Sequence, residues 1–393
     1  MLSVLKFHLL PKIQDYTMSD YLCQELIIAM FTRLPPKSLL RFRSLSKSWY
    51  SCISSPSFIR MHGSRSTQKL LLRHHLRYGV EYFHTLLSDD FYTLHSEDQL
   101  PLCPTEGYNG ITAVQFPCSR AFIIVGSCDG IFCLSEHKKG ISLWNPSIRR
   151  KKSLPDCPRR PRGPLEGFGL ALGFGFDPIS DDYNIVQISY ARESSYFYSL
   201  KTGSWCAIAS PTPFFSEVRR GIWGSCFVNG ALHWVVDRYH TESHHSEIPC
   251  IMTFDLSTHV FGMIPLPEPF RRLTRLTTFQ GSLAMISGYD DNSYYSDCWI
   301  WVRRDDSWSV VYKSKENQFK GGSIMGVLQP TINRDFLLSA MNDQGMEVYL
   351  IKMGTQSRLV EFHAASFISE IVQCVESLHL LENACEANQL LVS

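Results

Sequence analysis

The residues whose types could carry chemistry in this 393-residue sequence fall into a few short groups, and each group has a plain structural alternative. The run Gly167-Phe-Gly-Leu-Ala-Leu-Gly-Phe-Gly has the glycine density of a phosphate cradle. It lacks a Gly-Lys-Ser/Thr, a following helix and an acidic residue in a strand-helix-strand frame, so tight strand turns and close backbone packing account for it better. His240, His244 and His245, with Glu242 and Glu247 among them, are metal-ligating types, yet no second, distant ligand pair accompanies them and an exposed loop is favoured. Cys128 and Cys133 lie along one expected strand, where alternation points them to opposite faces, and no Cys-x-x-Cys occurs. Asp181-Asp182, Asp290-Asp291 and Asp305-Asp306 are adjacent pairs in apparent turns, not two carboxylates placed across one bond. With no Gly-x-Ser-x-Gly elbow and no His-Glu-x-x-His helix, no catalytic set assembles, and neither metal nor other cofactor is expected.

One charged group stays open. Arg149-Arg150-Lys151-Lys152, followed by Arg159, Arg160 and Arg162, is the dense basic patch of the chain, kept extended by interleaved prolines. It reads as a solvated loop, as a contact for an acidic target protein, or as a nuclear address.

Charge over the whole chain argues against an electrostatic partner. With 38 basic and 37 acidic residues the net charge is +1, whereas nucleic acid or an anionic membrane calls for a strong positive field. Thirteen cysteines are an odd and scattered set with no secretory leader ahead of them, which reads as reduced thiols in the cytoplasm or nucleus. Lys6 and His8 interrupt the apolar opening, no small-residue cleavage site follows, and no run of 18 apolar residues occurs, so residues 1–18 are expected to be a loose tail and no membrane is expected.

Two kinds of element must position whatever this chain binds with. From Leu22 the apolar residues Leu26, Ile27, Met30, Phe31 and Leu34 follow at i+4, i+5, i+8, i+9 and i+12, one helix face, with Ser19 and Asp20 as candidate caps. Pro35-Pro36 ends that helix and opens the next, which carries Leu39, Leu40, Phe42 and Leu45; Ser46 and Ser55-Pro56 punctuate two more short segments. A body of residues 19–66 has more apolar positions than it can bury alone, so some need another surface, in this chain or in a partner.

From residue 67 to 393 the period changes to short apolar and β-branched runs between Gly, Pro, Asn and Asp, which is an all-β domain. Expected strands include 69–72, 121–125, 131–134, 141–144, 183–190, 195–200, 251–254, 283–287, 298–303, 336–340 and 347–351. A phrase recurs. Asn229-Gly230 and Gln280-Gly281 open units 51 residues apart, and Asp129-Gly130 lies 100 residues before the first, leaving room for one diverged unit between. Tyr198 to Trp205, Phe254 to Phe261 and Trp301 to Trp308 close units alike, each a tight turn with an aromatic in the returning strand. A period near fifty with four short strands fits a β-propeller of the kelch-like size class, of about six blades; a β-sandwich is the alternative. Residues 364–381, periodic enough for strand or helix, are expected to close the ring near the first blade, since propellers must join their ends.

The stretch from Leu22 to Arg65 resembles the F-box. Its leading Leu, the Glu25-Leu26 helix, Arg33-Leu-Pro-Pro-Lys-Ser-Leu-Leu-Arg-Phe42, Ser46-Lys-Ser-Trp49 and Ser54-Ser-Pro-Ser-Phe58 carry the likeness, with Cys23 where the family usually has proline. The β half resembles the F-box-associated domain of the large plant F-box family, through Gly126 to Leu134, Leu143-Trp-Asn-Pro-Ser-Ile-Arg-Arg150, Leu172 to Pro178, Phe227 to Trp234 and Phe254 to Thr258. The resemblance implies a non-catalytic substrate receptor: an F-box docked on a Skp-type adaptor of a cullin-RING ubiquitin ligase, and a β domain that holds a target protein. It also implies adaptor contacts at Leu22, Leu26, Ile27, Leu34, Pro35, Leu39, Leu40, Leu45 and Trp49, with Lys47 at the rim. Arg159, Arg160 and Arg162 are the candidate target contacts.

Overall fold

The computed structural model of the chain describes residues 23–66, 68–76, 91–96, 113–114, 116–118, 122–136, 140–158, 170–189, 194–209, 215–218, 225–238, 248–267, 273–289, 297–314, 323–327, 336–342, 345–351, 358–360 and 366–380. The chain divides between Ser66 and Thr67 into two compact units. Leu22, Ser19, Asp20, the His240 cluster, Asp290-Asp291 and Arg159, Arg160 and Arg162 lie outside the described residues.

The first unit is four short helices, α1 (Gln24–Phe31), α2 (Pro36–Arg43), α3 (Lys47–Ile53) and α4 (Pro56–Gly63). Proline opens α2 and α4, where its missing N–H costs nothing, and serine caps the other side of two starts: the Ser46 hydroxyl accepts from Trp49 N at 3.1 Å and the Ser55 hydroxyl from Phe58 N at 3.2 Å. The first helix departs from expectation. It begins at Gln24 with Cys23 in the cap position and stops at Phe31, because the residue before Pro35 is steered out of the helical region; Leu34 therefore sits in a turn, its N–H on the Phe31 carbonyl at 3.0 Å. Cys23 has φ −65° and ψ 151°, angles at which a proline ring would fit. Phe31, Phe42 and Trp49 meet with ring centroids 5.2, 5.4 and 5.5 Å apart and pin the first three helices together. The fourth ties back to the turn after the first: His62 Nε2 lies 2.9 Å from the Leu34 carbonyl and Arg65 donates to the Thr32 hydroxyl at 2.8 Å.

The second unit holds six antiparallel sheets among the described residues. Strands β1 (Gln68–Leu76), β2 (Phe91–Ser96) and β3 (Ala113–Val114) begin the first. Blade two is β4 (Phe122–Cys128), β5 (Ile131–Glu136), β6 (Gly140–Asn145) and β7 (Arg150–Ser153). Blade three is β8 (Leu170–Asp177), β9 (Asp182–Ser189), β10 (Ser194–Ser199) and β11 (Ser204–Ala209). Blade four has β12 (Phe215–Val218) and β13 (Cys226–Val228), which share one edge of β14 (Ala231–Arg238), then β15 (Ile248–Asp255) and β16 (Phe261–Ile264). Blade five is β17 (Leu273–Phe279), β18 (Ser282–Tyr289), β19 (Asp297–Arg304) and β20 (Ser307–Lys313). Blade six is β21 (Ser323–Val327), β22 (Phe336–Asn342), β23 (Gly345–Ile351) and β24 (Arg358–Val360). The last strand, β25 (Ser366–Val375), returns to pair with β1 from Gln68↔Val375 to Leu76↔Ser366 and completes blade one. Contacts run from β25 to β4, β8, β13, β17, β21 and back to β25, which closes a ring.

The repeated openings have one conformation. Asp129-Gly130, Asn229-Gly230 and Gln280-Gly281 have positive φ at both residues, the turn whose twist matches a hairpin, and they join β4 to β5, β13 to β14 and β17 to β18. The diverged unit is blade three, whose opening lengthens to Asp177–Asp182 and is held by the Asp177 carboxylate, which accepts from Ile179 N at 3.0 Å and Ser180 N at 3.1 Å. Cys128 and Cys133, expected along one strand, stand instead on the two strands flanking the Asp129-Gly130 turn, because that turn is a hairpin and not part of a continuous strand.

Adjacent residues on one strand serve opposite seams. Ile185 packs with Val125, Ile131 and Phe174 between blades two and three, and its neighbour Val186 packs with Leu232, Trp234 and Met252 between three and four. Val235 then turns to Met285 and Trp301 in the seam with blade five. The glycine run is part of this packing: a Cβ on Gly173 would stand 2.5 Å from Trp234 Cζ2, while the Trp234 indole N–H reaches the Leu172 carbonyl at 3.0 Å. Gly173→Ala is therefore expected to overpack the seam and cost about 1–3 kcal/mol, read as a lowered urea midpoint; an unchanged midpoint would refute the close approach.

His233, 6% exposed beside the Cys226 carbonyl, has its pKa lowered from the ordinary 6.5 by burial, with the Arg303 charge acting in the same direction. An unfolded histidine takes a proton near 6.5 while the folded one resists, so below that pH the unfolded chain binds more protons and stability falls as pH falls. Between pH 7.5 and 5.5, His233→Gln is expected to lose less thermal stability than the parent; parallel losses would remove His233 as the cause.

Candidate functional site

The helical unit presents apolar surface that its own core does not take up. Phe31, Leu39, Ile53, Phe58 and Ile59 are buried, whereas Leu26 is 53%, Met30 56%, Leu45 67% and Met61 40% exposed. These four are half of the large apolar side chains exposed among the described residues, concentrated in residues 23–66. Leu26 and Met30 stand at i and i+4 on α1 and share a face.

The expected contact residues separate on burial. Leu26, Pro35, Leu45 and Lys47 are exposed, and Ile27, Leu34, Leu40 and Trp49 are half-buried. Leu39 is fully buried, and that departs from its expected outward role: on α2 it occupies the turn of the helix that faces inward, one residue before the partly open Leu40. Met30 and Met61 were absent from the expected set. The i+4 spacing from Leu26 was the available signal for Met30, and a flexible thioether suits an adaptable contact. Met61 had no comparable signal, since α4 alternates around Phe58, Ile59 and His62, all inside.

On the propeller, the described part of the basic run is β7 with Arg149 before it. Lys151 is consumed internally, bonded to the buried Glu136 carboxylate at 2.5 Å and to the Pro117 carbonyl at 2.9 Å, while Arg149 and Arg150 are exposed. The described residues contain no group of three or more metal-ligating side chains and no helix long and apolar enough to cross a membrane. Burial pushes the Cys118 thiol up to about 11 and the Cys374 thiol up to about 12, the reverse of what a nucleophile needs. Asp181 and Asp305-Asp306 lie in turns, and Asp182 is taken up by Ser199 and Lys201 N.

A short helical unit with unburied apolar side chains, followed on the same chain by a six-sheet ring, defines the class: a small helix bundle joined to a β-propeller. Comparison with known proteins gives the same division, residues 22–61 matching the F-box domain and residues 92–349 the F-box associated beta propeller domain. The chain belongs to the plant F-box proteins that carry an F-box-associated propeller. Among its relatives from Arabidopsis thaliana, F-box protein CPR1 is 26% identical over 387 residues, 88% of this chain and 86% of that one. F-box protein At5g49610 is 25% identical over 385 residues, covering 89% and 97% of the two chains. The F-box protein At3g16210 is 28% identical over 259 residues, 64% of this chain and 62%, less than two thirds, of its own length.

Truncation separates framework from surface. Leu39→Ala is expected to cost about 2–5 kcal/mol and to speed hydrogen exchange in α2 and α3 accordingly, whereas Leu45→Ala should stay within about 0.5 kcal/mol. Equal effects from the two would overturn the assignment of Leu45 to the surface.

Proposed function

We propose that this chain is the substrate-recognition subunit of a Skp-cullin-F-box ubiquitin ligase, with the helical unit docked on a Skp-type adaptor and the propeller holding a target protein for ubiquitination. The observation that carries the reading is the exposure of Leu26, Met30, Leu45 and Met61 on a unit whose core is made by Phe31, Leu39, Ile53, Phe58 and Ile59. F-box domains as a class dock on Skp-type adaptors, and the contact consists of apolar side chains removed from water, at roughly 25 cal/mol per Å². Leu22, Ile27, Leu34, Pro35, Leu40 and Trp49 extend that contact and Lys47 lies at its rim. Leu39 supports it from inside.

In this role the chain performs no chemistry itself; it brings a target to the ligase, in the cytoplasm or the nucleus. Arg159, Arg160 and Arg162, together with the exposed Arg149 and Arg150, form the basic candidate for target contact. Lys151 is not part of it, being bound to Glu136.

The test is co-purification with a Skp-type adaptor. Leu26→Asp combined with Leu45→Asp is expected to abolish capture with the circular dichroism and unfolding midpoint of the chain unchanged, because charge enters a contact that must lose its water. Undiminished capture would defeat the assignment. Failure of the parent chain to capture any adaptor would leave the other reading, a ligase-independent binding scaffold.

A further inference from the structure

The chain does not end its structural work at β25. We infer that Glu376–Leu380 is a latch that holds the propeller ring shut, and that Asn145 is the residue on which the latch closes. Of these five residues, which form no strand, the middle pair Ser377 and Leu378 are buried like core and the other three are half-buried. Leu378 is 0% and Ser377 1% exposed, and Leu380 packs beside the seam of blades two and three.

Their anchors come from three blades. On blade one, Lys69 of β1 pairs with Glu376 at 2.5 Å. Blade two supplies most of the grip. Asn145, itself 0% exposed at the end of β6, points its amide nitrogen at the Ser377 carbonyl (3.2 Å), the Ser377 hydroxyl (2.9 Å) and the His379 carbonyl (2.9 Å). Its amide oxygen accepts from Ser147 N at 2.9 Å, and the Ser147 hydroxyl in turn accepts from Ser377 N at 3.2 Å. Asn145-Pro146-Ser147 is thus a clamp whose side chains satisfy a strandless backbone, the role a buried segment requires of something. From blade three, Tyr183 donates its hydroxyl proton to Asp129 at 2.8 Å, and so receives the His379 Nδ1 proton at 3.1 Å.

The crossing is also built into the backbone of blade two. A Cβ on Gly130 would stand 2.3 Å from the Val375 carbonyl oxygen and 2.8 Å from the Ser377 hydroxyl, so only glycine lets the segment pass over this turn. Gly130 thereby differs from Gly281, the same turn in blade five, which has nothing within 4 Å. The clearance is needed where the latch crosses and nowhere else among these turns.

A latch, as distinct from one more stabilising contact, makes a local prediction. When it opens, β25 should leave β1 while blades four and five stay folded, a sub-global opening confined to the closing sheet. Hydrogen exchange of the full-length chain reads this. In Asn145→Ala, amides of 68–76 and 366–375 are expected to exchange about ten- to a hundredfold faster than in the parent, with those of 248–255 and 282–289 unchanged. Ser377→Ala, which removes one acceptor, should give the same pattern more weakly and serves where Asn145→Ala does not fold. Lys69→Cys gives up the Lys69–Glu376 pair and places a thiol opposite the native Cys374 in the register of the closing pair, so that a covalent tie replaces an ionic one. Oxidised, it should restore protection in the Asn145→Ala background; reduced, it should not. Faster exchange spread evenly over all blades, no change in either variant, or no rescue by the oxidised pair would each overturn the latch.

Discussion

A four-stranded blade in this propeller has no outer face that water can take without loss. On blades two, three and four adjacent residues face opposite ways, Ile131 and Phe132, Ile185 and Val186, Val235 and Trp234, so each of these blades is half of two seams. No blade can therefore be stable by itself, and a row of them leaves two apolar faces exposed until its ends meet. The ring is the consequence of that constraint: burial on both faces demands a neighbour on both sides. It also explains why strands read as continuous apolar runs, as in Ile131-Phe-Cys-Leu134 or Trp234-Val-Val236, and not as a clean alternation.

Polar groups enforce the spacing that the seams need. The indole N–H of Trp205 in β11 reaches the Pro155 carbonyl beyond β7 at 2.8 Å, and that of Trp308 in β20 reaches the Pro265 carbonyl beyond β16 at 2.9 Å, the same clasp two blades apart. Between blades three and four the Ser257 hydroxyl donates to Asp177, whose carboxyl is held below its ordinary range despite burial by hydroxyl donors from Ser180 and Ser257. Each such bond is modest, about 1 kcal/mol net, but an unpaired indole or carboxylate at these positions would cost more than that.

How far the sequence disclosed this differs by element. Local chemistry was plain: Asp129-Gly130, Asn229-Gly230 and Gln280-Gly281 mark the hairpins because glycine takes positive φ freely, and the Trp that ends two of the three closing phrases, Trp205 and Trp308, marks the clasp. Proline and serine likewise marked three of the four helix starts. What escaped was set by distance along the chain. That Leu39 turns inward and Met61 outward depends on which helix lies across from each, and a periodic apolar face does not say which of its members a small unit can cover. Cys128 and Cys133 were misplaced because one strand and a hairpin differ there by a two-residue turn. The use of Asn145 was illegible for the same reason, its partners lying 232 and 234 residues onward.

Pairing of β25 with β1 also sets an order of events during synthesis. Strand β1 leaves the ribosome before the other blades, and the strand that completes its sheet follows roughly 290 residues later, which at about 5–20 residues per second is of the order of a quarter to a full minute. For that interval the nascent chain carries a first sheet whose β1 edge is open. An unpaired edge of that kind is a template for strand addition by another chain, so the closing strand removes a hazard as well as completing a blade.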